Sequence, residues 1–361
     1  MLQTYSYRKQ DDNFNDIIDT VIDHAKQNME KKFASDYTED VKRVNAAIVK
    51  YCLEGTRYFD EYADKPLDAV KNPKVKKDIF FKQNFNAIIV EIINAIAPMV
   101  SAPKYTDSLA DVVQVGFGDT ARFEVGSNGL FKVNEVAEGV NRGVLQPIYN
   151  DEYTVNAAPV EIATSINWYQ VAAGSFEWGK FGVRAGKSFE SYIFLKIIAA
   201  MTSATALVGA GYSASGMSDA NWDNLSQRVA AANGGSAVYA IGTISALGQV
   251  IPANNYLQMG LGEEVAKEGA LTRYHGTPLV MVPNVLKPMT INTTADLAIP
   301  NNLIYFIGTD NDRPVKVVFE GDSVVIEEIP TETADRTYGI KIEYRIGISA
   351  IVGSKFGTLT I

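Results

Sequence analysis

Gly209-Ala210-Gly211-Tyr212-Ser213-Ala214 has the spacing of the G-x-G-x-x-G/A fingerprint, which lets a backbone approach a dinucleotide pyrophosphate. Such a loop should leave a strand and open a helix, with an acidic residue about 20 positions on to hold a ribose. Here the apolar run Ala204–Val208 closes a long helical stretch, and the next strand ends at Thr243, not on an acid. A nucleotide-dependent enzyme using Gly209 to Ala214 is therefore kept only as an alternative to a Gly/Ser connector. Gly182-Val183-Arg184-Ala185-Gly186-Lys187-Ser188 resembles a phosphate-cradling P-loop but has three residues between its glycines where four are needed. No apolar strand ending in Asp stands ready to hold magnesium, so Lys187 and Ser188 are expected to start a helix.

The remaining chemistry-bearing residues are few. The 361 residues include two histidines, His24 and His275, and one cysteine, Cys52. No G-x-S-x-G elbow is present. His275 lies in the turn-like Arg273-Tyr274-His275-Gly276-Thr277-Pro278, and a turn or interface role is the expectation. His24, beside Asp23 on a charged helix, is expected to be solvated. Cys52 follows Tyr51 near an apolar helix face and reads as a small hydrophobe. Glu263-Glu264 and Glu327-Glu328 are adjacent carboxylates, which point apart on a helix or strand and make no acid/base dyad. Trp168-Tyr169 and Trp178 are either core residues or subunit anchors. Catalytic, cofactor and metal residues are all expected to be absent.

The elements that must position these groups change character along the chain. Residues 1–107 hold 16 Lys+Arg and 17 Asp+Glu, the mark of a solvated helical region. One helix follows from Ile18, Ile22, Ala25, Met29 and Phe33, and a second runs from an N-cap at Thr38 through Val41, Val44, Ile48 and Tyr51. A third spans about Lys77 to Ala97 and ends at Pro98. Its most apolar part, Ile88 to Val100, is too short for a bilayer, which needs roughly 20 apolar residues. From 108 to about 172, short β-type runs alternate with Gly, Asn and Pro, and Ser127-Asn128-Gly129 signals a hairpin turn. A two-stranded arm of that kind is marginal in water unless something covers it. The arm's tip, Asn128, Gly129, Leu130, Phe131 and Lys132, is expected to touch a neighbouring subunit, since Phe131 is apolar beside a turn. A long helix runs from Ser188 to about Ala206 and could start as early as Ser175. An α/β region covers 219–312, with a helix from Asn224 to Ala232, the strands VYAIGT, LVMVP and LIYFIGT, and a helix around Leu257 to Lys267. Period-two strands close the chain from 313 to 361.

The net charge of -9 argues against strong affinity for nucleic acid or anionic membranes. A single Cys excludes an internal disulfide and fits a reducing compartment. The N-terminus has no apolar core of the signal-peptide kind.

This order of parts, with IPANNYLQMG, GTPLVMVP and the closing RTYGIKIEYRIGISAIVGSKFG, resembles the major capsid proteins of tailed bacteriophages with the Hong Kong 97-type fold. The resemblance implies an α+β chain. It would have an N-terminal helical arm (1–107), an extended β-hairpin E-loop (108–172), and a spine helix with connector (173–218). An axial α/β domain (219–312) and a peripheral β return (313–361) would follow. It implies self-assembly into pentamers and hexamers of an icosahedral shell that encloses double-stranded DNA without sequence-specific binding. Portal, scaffold or decoration proteins would be partners, and assembly in the host bacterial cytoplasm would yield a virion capsid with no membrane. An encapsulin-like nanocompartment shell is the alternative. Some members of the family join subunits through an isopeptide bond between an E-loop Lys and a peripheral-domain Asn. Lys132 could supply the first, but residues 313–361 contain no Asn. Some members also lose a helical scaffolding segment. Because this chain starts at Met1, its arm is expected to be retained.

Overall fold

The computed structural model describes residues 12–30, 37–100, 109–126, 150–251, 265, 267–284, 286–287, 294, 296–308, 313–327, 337–351 and 355–361. The expected helix around Leu257 lies almost wholly outside them, as do Phe33, Glu263, Glu264 and Glu328.

The helical arm is built from α1 (Asp12–Glu30), α2 (Tyr37–Leu53) and α6 (Ile79–Val100). The second helix begins at Tyr37, one residue ahead of the expected cap. Between the long helices lie three single-turn helices, α3 (Phe59–Tyr62), α4 (Pro66–Ala69) and α5 (Pro73–Lys76). Pro66 and Pro73 open the last two, where a missing N–H costs nothing. The Asn72 side chain caps the last by accepting from the Lys74 N–H at 3.0 Å.

Two expectations about α6 change. The helix continues two residues past Pro98, whose fixed φ is compatible with a helix and which stands only in its last turn. Starting at Ile79, it is also long and apolar enough to cross a membrane. Packing explains that apolarity: Phe81, Phe85, Ile88, Ile89, Ile92, Ile93 and Ile96 are all at most 1% exposed in the core. Each such residue contributes about 1.5–3 kcal/mol on folding.

After a short α7 (Trp168–Ala172) comes the 31-residue α8 (Trp178–Val208). It starts within the expected range and ends at Gly209, whose φ of 100° is closed to most side chains. Gly179 brings α8 against α1: a Cβ there would sit 2.6 Å from the Ala25 backbone N. This close approach makes the arm part of the body. Arm residues Ile18, Ile48 and Phe85 share one core with Trp168, Trp178 and Phe189, and with Ile340 and Ile342 of the closing strands.

Two sheets flank α8. One has four strands in the order β1 (Ala110–Val115), β10 (Val315–Glu327), β11 (Thr337–Ala350), β4 (Ala158–Asn167). Its first pair is parallel and the others are antiparallel. β10 is buried from Val315 to Val318, not on alternate residues as period two predicts. Both its faces are covered: Val315 and Val317 pack with Ile197 and Met201 of α8. Val318 packs on the opposite face with Ala121 and Val155.

The second sheet has six strands, ordered β5 (Ser213–Ser215), β12 (Gly357–Thr360), β9 (Leu303–Gly308), β6 (Val238–Gly242), β8 (Thr277–Met281), β7 (Arg273–Tyr274). The helix α9 (Asp219–Ala232) packs Trp222, Leu225 and Val229 onto it beside Ile304, Phe306 and Leu359. It starts five residues earlier than expected, because Ser218 caps it by accepting from the Asn221 N–H. The chain's last strand, β12, thus lies in the sheet of the α/β region, while β10 and β11 lie in the other. A third, two-stranded ribbon pairs β2 (Ala121–Gly126) with β3 (Asn150–Val155).

Candidate assembly interface

The β2–β3 ribbon offers surface without a core of its own. It holds its register from Ala121 opposite Val155 to Gly126 opposite Asn150. Arg122 and Glu152 pair across it at 3.4 Å on an open face, which adds little stability in water. Tyr153 stays 49% exposed. Among the described residues the ribbon is anchored near its root, where Ala121 and Val155 pack against Val318 and Ile351, with Phe123 beside them under the Lys316 ammonium. The expected contact residues Asn128, Gly129, Leu130, Phe131 and Lys132, with the Ser127-Asn128-Gly129 turn, lie outside the described residues.

At the root, the turn between β1 and β2 is fixed by the sheet beneath it. The Glu320 carboxylate accepts from the Gly118 backbone N–H at 2.9 Å and from Arg345 Nε at 2.9 Å. Those donors hold its pKa below the ordinary carboxylate value, the Gly118 N–H most of all. Phe117, 79% exposed, stands on this turn with the Arg345 guanidinium 5.8 Å from its ring centre. Farther along β10, buried Lys316 pairs with Asp111 of β1, which also accepts from the Arg313 N–H at 3.2 Å.

A second exposed region lies at the start of α9. His275, with a φ of 45°, stacks on Tyr274 and meets Asp223 at 2.8 Å through Nδ1. The Tyr274 hydroxyl donates to Asp219, and burial first, then that carboxylate, pushes its pKa up. Among the described residues, no group of three or more His, Cys, Asp or Glu side chains is placed to hold a metal ion.

A family model, SPbeta prophage-derived putative capsid protein YonB, matches residues 13–360. The chain belongs to the YonB family. It is thus a phage capsid protein, and its fold is an α+β arrangement of helical arm, two-stranded ribbon, long helix and two sheets. No curated protein matches it in sequence. Among solved structures it is similar to the mature capsid of bacteriophage PhiM1, at 11% identity over 69% of this chain and 85% of that one, TM-score 0.45. It is also similar to a structure from Microbacterium phage Oxtober96, at 11% identity over 72% and 91%, TM-score 0.46. A third is a virus-like particle from Pyrococcus furiosus, at 10% identity over 75% and 98%, TM-score 0.43.

In this YonB-family chain the motifs that suggested enzymes are structural. The P-loop-like stretch lies wholly inside α8, where a helix offers no cradle of free N–H groups. Gly209 to Ala214 form the helix stop, a turn of 3-10 helix (Ala210–Tyr212) and the start of β5, with Arg228 Nη1 donating to the Gly211 carbonyl at 2.9 Å. Cys52 is fully buried, and burial pushes its thiol pKa well up. Trp168 and Trp178 are core residues, 7% and 2% exposed, whereas Tyr169 is 57% exposed.

His24 departs from expectation: it is 6% exposed, not solvated. The side of α1 that carries it turns toward α8 at Gly179 and toward the Tyr37 ring, 5.1 Å away. Burial lowers its pKa below 6.5, against the opposing pull of Asp40, Asp23 and Glu177. Sequence reading also missed the seam that Asn45 makes. Its amide donates to the Phe176 carbonyl at 2.9 Å and accepts from Trp178 Nε1 at 3.1 Å. The signal available was a polar residue among the apolar positions of α2.

Proposed function

We propose that the chain is the major building block of an icosahedral phage shell, assembled from pentamers and hexamers around double-stranded DNA. The observation that carries this reading is the β2–β3 ribbon of a capsid-family chain, whose described residues pair with each other and meet the body near the root. A ribbon with so little apolar contact gains stability by lying on another subunit. In this reading the ribbon is the E-loop, and Asn128 to Lys132 at its tip make that contact. The chain has a structural and not a catalytic task. Portal, scaffold or decoration proteins join the shell during assembly in the host bacterial cytoplasm. The purified chain should form closed particles in electron micrographs. Deleting residues 127–132 should lower the melting temperature of the particles while leaving subunit unfolding unchanged. Light scattering that shows only monomer over wide protein and salt ranges rejects the proposal.

A further inference from the structure

Besides the apolar contact of Ala121 and Val155 with Val318 and Ile351, the ribbon is held at two further points of different kinds. The return leg, between β3 and β4, crosses β11 at Gly347. A Cβ there would stand 2.7 Å from the Asn156 carbonyl oxygen and 3.0 Å from Val155 Cγ1. This contact is between backbones and is closed to any side chain. The outgoing leg is held differently. Its turn closes on itself through the Asp119 N–H and the Gly116 carbonyl at 3.0 Å. It meets the sheet through the Glu320 carboxylate, one oxygen on the Gly118 N–H and the other on Arg345 Nε. Glu320 is 8% exposed and its two bonds are charge-assisted, while the Arg345 side chain that donates one of them is 37% exposed. The next residue, Gly321, has a φ of 66° and faces the Phe117 side chain. The β10–β11 register slips between Glu320 and Val324 at this same place. The sheet is therefore irregular just where it grips the ribbon.

We infer that Glu320 and Arg345 form a latch that fixes the angle of the ribbon, with the Gly347–Asn156 crossing as its pivot. This rests on reading the ribbon as the E-loop of a shell subunit. Closed, the latch presents β2–β3 to a neighbour in one orientation. Open, it lets the ribbon turn about the pivot as a unit, because the β2–β3 ladder does not depend on Glu320. The apolar contact of Ala121 and Val155 with Val318 and Ile351 lies beside the pivot and resists complete release.

The test is hydrogen exchange on dilute, unassembled subunits of wild type, Glu320→Gln and Arg345→Gln. It reads the latch whether or not shells form, so its failure is separate from failure of the assembly reading. Glu320→Gln removes the charge and leaves one acceptor oxygen for two donors. Exchange over residues 117–120 should speed up on the order of tenfold in both variants, the scale of losing one charge-assisted hydrogen bond. Exchange within 122–125 and 152–154 should stay at the wild-type rate, as a ribbon turning whole requires. Unchanged exchange at 117–120 in both variants overturns the latch. Equal acceleration along the whole ribbon overturns the pivot, because the ribbon would then be melting. Retained exchange protection across β11 shows that each variant is folded.

Discussion

Replacing Asn45 with Ala should loosen the joint between the helical arm and the body. Asn45 is 0% exposed. Its amide donates to the carbonyls of Phe176 and Val41, and its oxygen accepts from Trp178 Nε1. In the Ala variant the Val41 carbonyl keeps its helical partner within α2. The Phe176 carbonyl and the Trp178 indole N–H lose theirs. Trp178 is 2% exposed and ringed by Phe85 and Phe176, so water does not easily replace the amide. A buried polar group left without a partner costs about 1–3 kcal/mol, so two such groups cost about 2–4 kcal/mol after modest relaxation. Urea unfolding of unassembled subunits, followed by tryptophan fluorescence, should show the midpoint falling with an unchanged slope. Tyr37→Phe is the control. It removes the part-exposed 3.3 Å contact with Glu177 and the 2.8 Å bond from Asn28, and should cost under about 1 kcal/mol. A loss in Asn45→Ala no larger than in Tyr37→Phe would falsify the view that buried polar pairing ties the arm to the body.

His24 should make subunit stability sensitive to pH. Its folded pKa lies below 6.5 because burial disfavours the cation, so below pH 6.5 the unfolded chain binds the proton first and stability falls. Urea midpoints from pH 7.5 down to 5 should drop more for wild type than for His24→Gln, and parallel curves refute this. Boiled and reduced particles should run as one band near 39.4 kDa on a denaturing gel, since residues 313–361 offer no Asn and the chain has one Cys; a ladder of multiples contradicts it. Free subunits carry a net charge of -9 and should bind duplex DNA only weakly at physiological salt, with any contact on the lysines from Lys71 to Lys77. Sub-micromolar affinity in a fluorescence anisotropy titration overturns that expectation.

What was legible in the sequence was what local periodicity writes. Ile18, Ile22 and Ala25 mark α1, and Phe81, Phe85, Ile88, Ile92 and Ile96 mark the buried face of α6, because one helix face repeats every three or four residues. The short strands between 108 and 172 were legible, but β1 and β4 of that stretch join the four-stranded sheet, and β2 and β3 alone among its described strands pair as a ribbon; the order of parts pointed to the capsid class. What failed to show depends on partners distant in the chain. Lys316 reads as a solvent-facing residue of an alternating strand, yet it is 4% exposed, because β1, over 200 residues earlier, supplies Asp111. His24 reads as one polar residue among many on a charged helix. Only the missing side chain at Gly179, more than 150 positions later, lets that face close on α8. Glu320 and Arg345 are ordinary charges in the sequence, and they become a latch through the Gly118 N–H, which no side-chain pattern records. Periodicity thus reveals which faces are apolar. The polar contacts that join the arm and the ribbon to the body follow from topology, and in the proposed latch they set the angle at which the ribbon is offered.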